Sequence, residues 1–534
     1  MVSRHLGSVV TRRALLATTA AVLARPAVLR ASPVDTLRFI PQADITILDP
    51  LATTAYVTRN HGHLCWDTLY GADDNFVPSP QLAEGHSIED DGKRWLFTLR
   101  DGPTFHDGEK VRATDAVASI RRWMPHDTYG QVLAGRLDAM RALDDRRFEL
   151  RLQRPFPLLL DALAKATSFP CFIYPERFAA VDPAKPFTEV VGSGPYRFVA
   201  DERVAGARAV YRKYDRYSPT PVGTPSLIAG PKLASFERLE WNMIPDGATA
   251  AAALRAGEMD WWEGVASDLD GFLAQATDVV LDQPDRGGAY AALRFNSSYP
   301  PFNDPVARRA VLKAVKQADF MIATAGADQQ RWRDGVGCFP GTSPFASDEG
   351  MEALTGPRDL DAAKAALAAA GYKGAPVVAL HATDVPNQNA LMSVAVDVLK
   401  QLGFAVTDLT SDWGTVLQRR GNKAPPDHGG WNVLVALFSA SECSTPAGNL
   451  LLRANGADAW YGWPNSPRLE ELRTAWFDAA DEPGRRAISR QIQAQFFIDL
   501  PYVPLGQYFT HTAYRRGLTG VRRGIVLPLN AHWS

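Results

Sequence analysis

The sequence predicts an α/β protein built of more than one lobe, and three observations carry that expectation. At 534 residues with 46 % hydrophobic side chains, the chain is too long for one ordinary core and has the apolar material for two or three. Strand and turn patterns dominate the first part of the chain, with a mixed, proline-punctuated stretch between 125 and 190. From about 290 onward strands alternate with helices, as in an α/β domain.

Taken in order, the first 31 residues hold five arginines (Arg4, Arg12, Arg13, Arg25, Arg30), no acid, and the apolar run "ALLATTAAVLA". This is the pattern of a signal peptide, and at 11 residues the run is well short of the ~20 needed to cross a bilayer. "TRRALL" resembles a twin-arginine export signal, with Leu15 where an aromatic is commoner; an ordinary signal containing two adjacent arginines is the alternative. Next, "DTLRFIPQADITILDP" reads as an opening strand and a turn at Asp49-Pro50. "HSIEDDGKRWLFTLRDG" reads as a hairpin turning at Asp91-Gly92, with Trp95, Phe97 and Leu99 on one face. "ATDAVASIRRW" opens a helix with Thr114 as the expected N-cap.

"RRFELRL" is a strand, "DPAKPF" a loop, and "ATAAAALRAGEMDWWEG" a helix stopped at Gly257 and followed by a short strand. "NDPVARRAVLKAVKQADFMIAT" is expected to be a helix with Val311, Val315 and Ala318 facing the core. "RDLDAAKAALAAAGYKG" is a helix capped by Asp359 or Asp361 and ended at Gly371. "APVVALHA" is a buried strand, "NALMSVAVDVLKQLG" a helix, and "DEPGRRAISRQIQAQFFIDL" a last helix leading into the strand "PYVPLGQYF".

Charge and cysteine usage exclude several functions. Without the five leader arginines, 52 of the 57 basic residues remain against 59 acids, so the mature chain is about seven charges negative, a poor match for nucleic acid or an anionic membrane surface. Cys65, Cys171, Cys338 and Cys443 stand far apart with no CxxC, so no zinc ribbon or redox motif is readable, though an exported chain leaves one or two disulfides open. There is no HExxH, no GxSxG and no GxxxxGK[ST], and neighbouring acids such as Asp90-Asp91 and Glu470-Glu471 read as solvated, so no catalytic constellation emerges.

Five segments, in order, resemble the extracytoplasmic solute-binding proteins of ABC importers, of the large peptide, oligopeptide and nickel type. They are "LAEGHSIEDDGKRWLFTLRDGPTFHDGEKVRATDAVASIRR", "VGSGPYRF", "LRFNSSYPPFNDPVARRAVLKAV", "RDLDAAKAALAAAGYKG" and "IQAQFFIDLPYVPLGQY". The resemblance implies a periplasmic-binding-protein-like fold of type II: two lobes hinged around a cleft, plus an inserted domain. It places lobe I at about 34–72, 188–288 and 503–534, the insertion at 73–187 and lobe III at 289–502, with hinge crossings near "GGAYAALRF" and "PYVPLGQYF". It also implies a periplasmic, monomeric, non-enzymatic protein without a cofactor, whose partners are a small-molecule or short-peptide ligand and permease subunits. A sensor in place of the permease remains an alternative, as does, from another class, an exported hydrolase or metal-dependent enzyme.

The same resemblance nominates site residues. In the peptide binders an aspartate following an aromatic in a cleft loop holds the ligand's α-amino group; here Phe438 falls at the aromatic and Ser441 at the aspartate, with Glu442 next to it. A serine cannot supply the charge a buried ammonium needs, so either Glu442 substitutes or the ligand has no free amine there. "SDWGTVLQRR" carries over a pocket tryptophan, Trp413, and an arginine, Arg420, a stacking wall and a fork for a carboxylate, against the alternatives of core packing and a solvated helix face. In "WYGWPN", Trp460, Tyr461 and Trp463 either line the cleft or clasp a loop to the core. Tyr56 and Tyr508 are candidates by position, with core packing as the alternative. In "NHGHLCW", His61, His63 and Cys65 would share one face of a strand, with no carboxylate nearby to complete a metal site.

One short stretch, "VVGSGPYRF", looks at first like an active-site loop. It lacks the lysine of a phosphate loop and the spacing of a nucleophile elbow, so Ser193 reads as a turn residue, with Gly192 and Gly194 free to take positive φ and Pro195 leading into a strand.

Overall fold

A computed structural model describes residues 35–180 and 187–534. The export leader and most of the "DPAKPF" loop lie outside the described residues.

Two large sheets organise the chain. The first has seven strands in the order Val279–Asp282, Thr512–Arg515, Trp261–Trp262, Thr36–Ile40, Arg238–Asn242, Arg208–Lys213, Tyr196–Phe198, with Thr36–Ile40 parallel to both of its neighbours. The second has six, Trp332–Arg333, Tyr502–Tyr508, Ala289–Phe295, Val433–Ser439, Pro376–Ala382, Ala405–Ser411, mixing antiparallel and parallel pairs. A four-stranded antiparallel sheet built from Ala83–Glu89, Arg94–Leu99, Arg147–Leu152 and Leu137–Ala142 comes from the stretch between 73 and 187. The chain passes between the two large sheets twice, at 283–288 and at 509–511. Tyr502–Tyr508 pairs along Ala289–Phe295, and the chain leaves the six-stranded sheet only after Tyr508.

Most predicted elements form for the reasons the sequence supplies. Trp95, Phe97 and Leu99 are all buried on the hairpin's inner face, and Phe97 stacks on Phe148 at 5.0 Å. The hairpin turn is wider than Asp-Gly alone, because Asp90, Asp91 and Gly92 all adopt positive φ. Asp359, not Asp361, caps the helix Leu360–Ala369, its Oδ1 accepting the Ala362 N–H at 2.8 Å. Thr114 is not a cap: the helix Ala113–Trp123 begins after Arg112, and Asp115 closes it by accepting the Arg112 N–H at 2.7 Å.

The expected long helix after Asp304 is two helices, Pro305–Ala314 and Gln317–Ala325, because Val315 and Lys316 are extended; Val311 and Val315 are buried and Ala318 partly so. "NHGHLC" is not a strand but the end of the helix Tyr56–Cys65, in which every residue after Tyr56 is buried. The segment is wrapped by protein on all sides, so its polar side chains, Thr58, Arg59, Asn60, His61 and His63, are buried with its apolar ones and mark no solvent-facing side.

"VVGSGPYRF" closes against this helix. Neither Gly192 nor Gly194 takes a positive φ; both are required by close approach, since a Cβ at Gly192 would come within 1.9 Å of the Cys65 carbonyl oxygen and one at Gly194 within 2.6 Å of that of Leu64. The Gly194 N–H donates to Cys65 O at 2.9 Å, the His106 N–H to Gly192 O at 2.7 Å, and Trp66 Nε1 to Val191 O at 3.0 Å. Ser193 is buried and its hydroxyl has no partner. All four cysteines are buried and free, so no disulfide forms.

Candidate functional site

Between the two large sheets lies a cleft of about 760 Å³. One wall carries Tyr56 and Arg59 from the helix that follows the first strand, with Trp262 at the end of the short strand Trp261–Trp262 of the seven-stranded sheet and Glu263 directly after it. The opposite wall is the end of the strand Val433–Ser439 and the short helix Ala440–Cys443, which bring in Phe438, Ser441 and Glu442. Tyr508, at the end of its strand, and the crossing segment with Asp285 complete the floor.

Across this cleft the walls touch through one network. Tyr56 OH donates to Glu442 Oε2 at 3.2 Å and accepts the Ser439 N–H. Ser168 Oγ donates to the same Oε2 at 3.0 Å, while Glu442 Oε1 is buried without a partner. Burial raises the Glu442 carboxyl above its ordinary range, opposed by Lys165, Ser168 and Arg59. Ser441, at the position where the resemblance expects an aspartate, spends its hydroxyl on Ser439.

Behind Tyr56, the Arg59 guanidinium lies 4.1 Å from the ring centroid. Its Nε and Nη2 reach Asn60 Oδ1 at 3.1 and 2.8 Å, and Asn60 Nδ2 donates to Glu263 Oε1 at 2.8 Å. Burial pushes the Glu263 carboxyl up to about 7 and also raises that of Asp285, whose Oδ1 accepts the Gly287 and Gly288 N–H groups.

Of the residues nominated from sequence, Tyr56, Phe438, Ser441, Glu442 and Tyr508 line the cleft, and Tyr508 OH accepts from Asn387 Nδ2 at 3.2 Å. Trp413, Arg420 and Trp463 are not among its lining residues. Arg420 is buried beside it: Nη2 donates to Thr53 and Thr54 Oγ1, each at 3.2 Å, and the guanidinium packs over Tyr461, Trp460 and Trp413. Trp463 packs at 6.0 Å against Trp431, and the half-buried Trp413 starts the helix that ends at Arg419. Arg59, Glu263, Trp262 and Ser168 were not legible in advance; only Glu263 carried any local signal, as an acid directly after the buried Trp261-Trp262 pair.

The histidine stretch is core. His61 Nδ1 meets Tyr211 OH at 3.0 Å and His63 Nε2 meets Ala166 O at 3.1 Å, on different sides of the helix. Among the described residues no group of three or more His, Cys, Asp or Glu is placed to hold a metal ion, and no helix is long and apolar enough to cross a membrane.

Comparison with known proteins agrees with this architecture. The model of the family described as bacterial extracellular solute-binding proteins, family 5 Middle, matches residues 77–447. A probable peptide ABC transporter periplasmic-binding protein of Sinorhizobium fredii is 33 % identical over 480 residues, 90 % of each chain. Among solved structures, the binding protein AgaA of A. tumefaciens, in complex with agropinic acid, superposes with a TM-score of 0.77 at 21 % identity, covering 93 % of this chain and 99 % of that one. DppA from Helicobacter pylori, in complex with the peptide STSA, gives 0.76 at 22 %, covering 93 % and 98 %. These likenesses establish the two-lobed type II periplasmic-binding-protein fold. With one family model spanning most of its length and a relative one-third identical across nine-tenths of both chains, the chain belongs to the bacterial extracellular solute-binding proteins of family 5.

Proposed function

We propose that this ABC-importer solute-binding protein captures a short peptide or peptide-like small solute between its lobes and delivers it to the permease, acting as an exported monomer in the bacterial periplasm. The carrying observation is the cleft of about 760 Å³ walled by Tyr56 and Glu263 on one side and by Phe438 and Glu442 on the other. Ligand pockets run from roughly 300 to 1,000 Å³, so a solute of a few residues fits. A solute gripped by both walls binds the closed arrangement better than the open one and so shifts the hinge toward closure. The lobes in this reading are 34–72, 188–288 and the segment after Tyr508 for the first, 73–187 for the insertion, and 289–508 for the third, with 283–288 and 509–511 as the hinge.

Glu442 takes the role that Ser441 cannot. Its buried, unpartnered Oε1 is an acceptor awaiting a donor, and a ligand ammonium is the donor that offsets its desolvation. The peptide named for the Sinorhizobium relative and the STSA held by the Helicobacter protein support the ligand class, as does agropinic acid for a non-peptide variant. Native mass spectrometry of the purified protein tests it: one bound peptide or amino-acid-derived mass per chain is expected, and at least a tenfold weaker affinity in Glu442→Gln. A pooled di- to pentapeptide library that produces no binding heat, or an E442Q protein that binds as wild type does, contradicts it.

A further inference from the structure

We propose that the cleft selects solutes of net positive charge, holding a second cationic group against Glu263 and Asp285 in addition to the ammonium at Glu442. This rests on the peptide-like reading above and narrows it to one chemical class, short peptides with a basic side chain.

Six acids and four cations line the cleft, and the imbalance is sharpest around Arg59. Three carboxyls act on that one guanidinium: Glu263 of the first lobe, Asp285 of the crossing segment and Glu442 of the third lobe. Each is held by neutral donors alone. Glu263 accepts from Asn60 Nδ2 and the Gln42 N–H, each at 2.8 Å, Asp285 from the Gly287 and Gly288 N–H groups at 2.9 and 3.1 Å, and Glu442 from Tyr56 OH and Ser168. Among the described residues none of the three forms an ion pair, and Asp285 Oδ2 accepts from no group. Lys165, the second cation acting on Glu442, is paired with Asp127. Arg286 and Arg523 also line the cleft, but both are exposed, where solvent and salt screen them. Arg59 is thus shared among acids of the cleft instead of standing free for a ligand carboxylate.

Carboxyls crowded in this way and taken out of water bind protons in preference to keeping an uncompensated charge. Burial pushes Glu263 up to about 7 and raises Asp285 and Glu442 as well, against the pull of Arg59 on each. A cationic group brought by the ligand replaces those protons, because it supplies the charge that one guanidinium cannot give to three acids. Each carboxyl that ionises on capture releases its proton to solvent. A neutral ligand side chain leaves the carboxyls protonated, and an acidic one adds a further negative charge beside them. Cationic ligands therefore bind more weakly as pH falls from about 7.5 to about 5.5, where protons compete for the same oxygens.

Calorimetry on the full mature chain tests this with the tripeptides Lys-Ala-Ala and Ala-Lys-Ala and their glutamine and glutamate counterparts. At about pH 7.5 the tighter lysine peptide is expected to bind at least tenfold better than either glutamine peptide. At about pH 6.5, in buffers of different ionisation heat, it releases more protons on capture than they do. Glu263→Gln alone lowers the affinity ratio at least threefold, and Glu263→Gln with Asp285→Asn brings it below about twofold and removes the extra proton release, while the melting temperature holds. A wild-type ratio near one, a ratio unchanged in both variants, or equal proton release overturns the assignment. Equal binding of the lysine, glutamine and glutamate peptides overturns the assignment alone and leaves peptide capture standing; binding of none of them, nor of a pooled di- to pentapeptide library, overturns both.

Discussion

Replacing Arg420 with methionine separates two roles that the sequence left joined, ligand contact and lobe closure. The resemblance to peptide binders offers Arg420 as a fork for a ligand carboxylate, but its Nη2 is engaged by Thr53 and Thr54 of the other lobe at 3.2 Å, and its guanidinium lies 4.7 Å from the Tyr461 ring centroid. A buried hydrogen bond from a charged donor contributes roughly 1.5–3 kcal/mol, and desolvation of the guanidinium offsets part of the two. A net loss of about 1–3 kcal/mol corresponds to roughly 5- to 150-fold in an equilibrium. In the two-lobe reading this contact joins the lobes, so its loss is expected to fall on the closed population and to weaken every ligand by the same factor, whatever that ligand's charge. Methionine keeps most of the stem's packing against the three rings. Calorimetry of R420M with ligands that carry and lack a carboxylate reads this directly. An affinity loss confined to carboxylate-bearing ligands would refute the clasp, as would no loss at all.

Two further predictions concern the frame that holds the cleft. Gly192→Ala drives a Cβ to within 1.9 Å of the Cys65 carbonyl oxygen, backbone against backbone, and is expected to cost about 3 kcal/mol or more, whereas Ser193→Ala removes a buried hydroxyl with no partner and stays within about 1 kcal/mol of wild type. Thermal melts decide it, and a G192A protein as stable as S193A contradicts the close-approach argument. Burial holds His61 down to about 3 and His106 to about 4, with His63 well below its ordinary value. The unfolded chain protonates these rings near 6.5 and the folded one does not, so stability is lost as pH falls below ~6.5, by up to ~1.4 kcal/mol per pH unit for each ring. Glu263, raised to about 7, works in the opposite sense between 7 and its unfolded value, as do the raised carboxyls of Glu442 and Asp285, but His86, His126 and His511 are lowered alongside the first three rings, and the histidines outweigh the carboxyls. The melting temperature is therefore lower at pH 5 than at pH 7.5; an equal or higher value refutes the account.

What was legible in the sequence was whatever local chemistry determines. The hairpin at 83–99 alternates because one face is buried, Asp359 and Asp304 cap because their carboxylates can reach the next N–H groups, and Gly257 and Gly371 end helices at positive φ. The helix Tyr56–Cys65 was hidden because protein surrounds it and because Ala55 at its start supplies no side-chain cap. The glycines of "VVGSGPYRF" were read for their dihedral freedom, yet their function is to let two backbones touch, a demand that becomes visible only when Cys65 is in place. The site divides the same way. Glu442 and Phe438 were legible as cleft-lining residues beside Ser441 through the resemblance, whereas Arg59 is one arginine in a buried helix, and its place on the cleft wall arises from a ring, an amide and a cleft brought together by the fold.

The central claim is that a solute draws the two large lobes together around this cleft. Small-angle scattering of the full mature chain, stripped of bound ligand by unfolding and refolding and then mixed with a pooled di- to pentapeptide library, measures that most directly. A fall in the radius of gyration on addition, reversed by dialysis and reduced in E442Q, is the predicted result. An identical radius with and without the library, while calorimetry reports binding, would contradict closure.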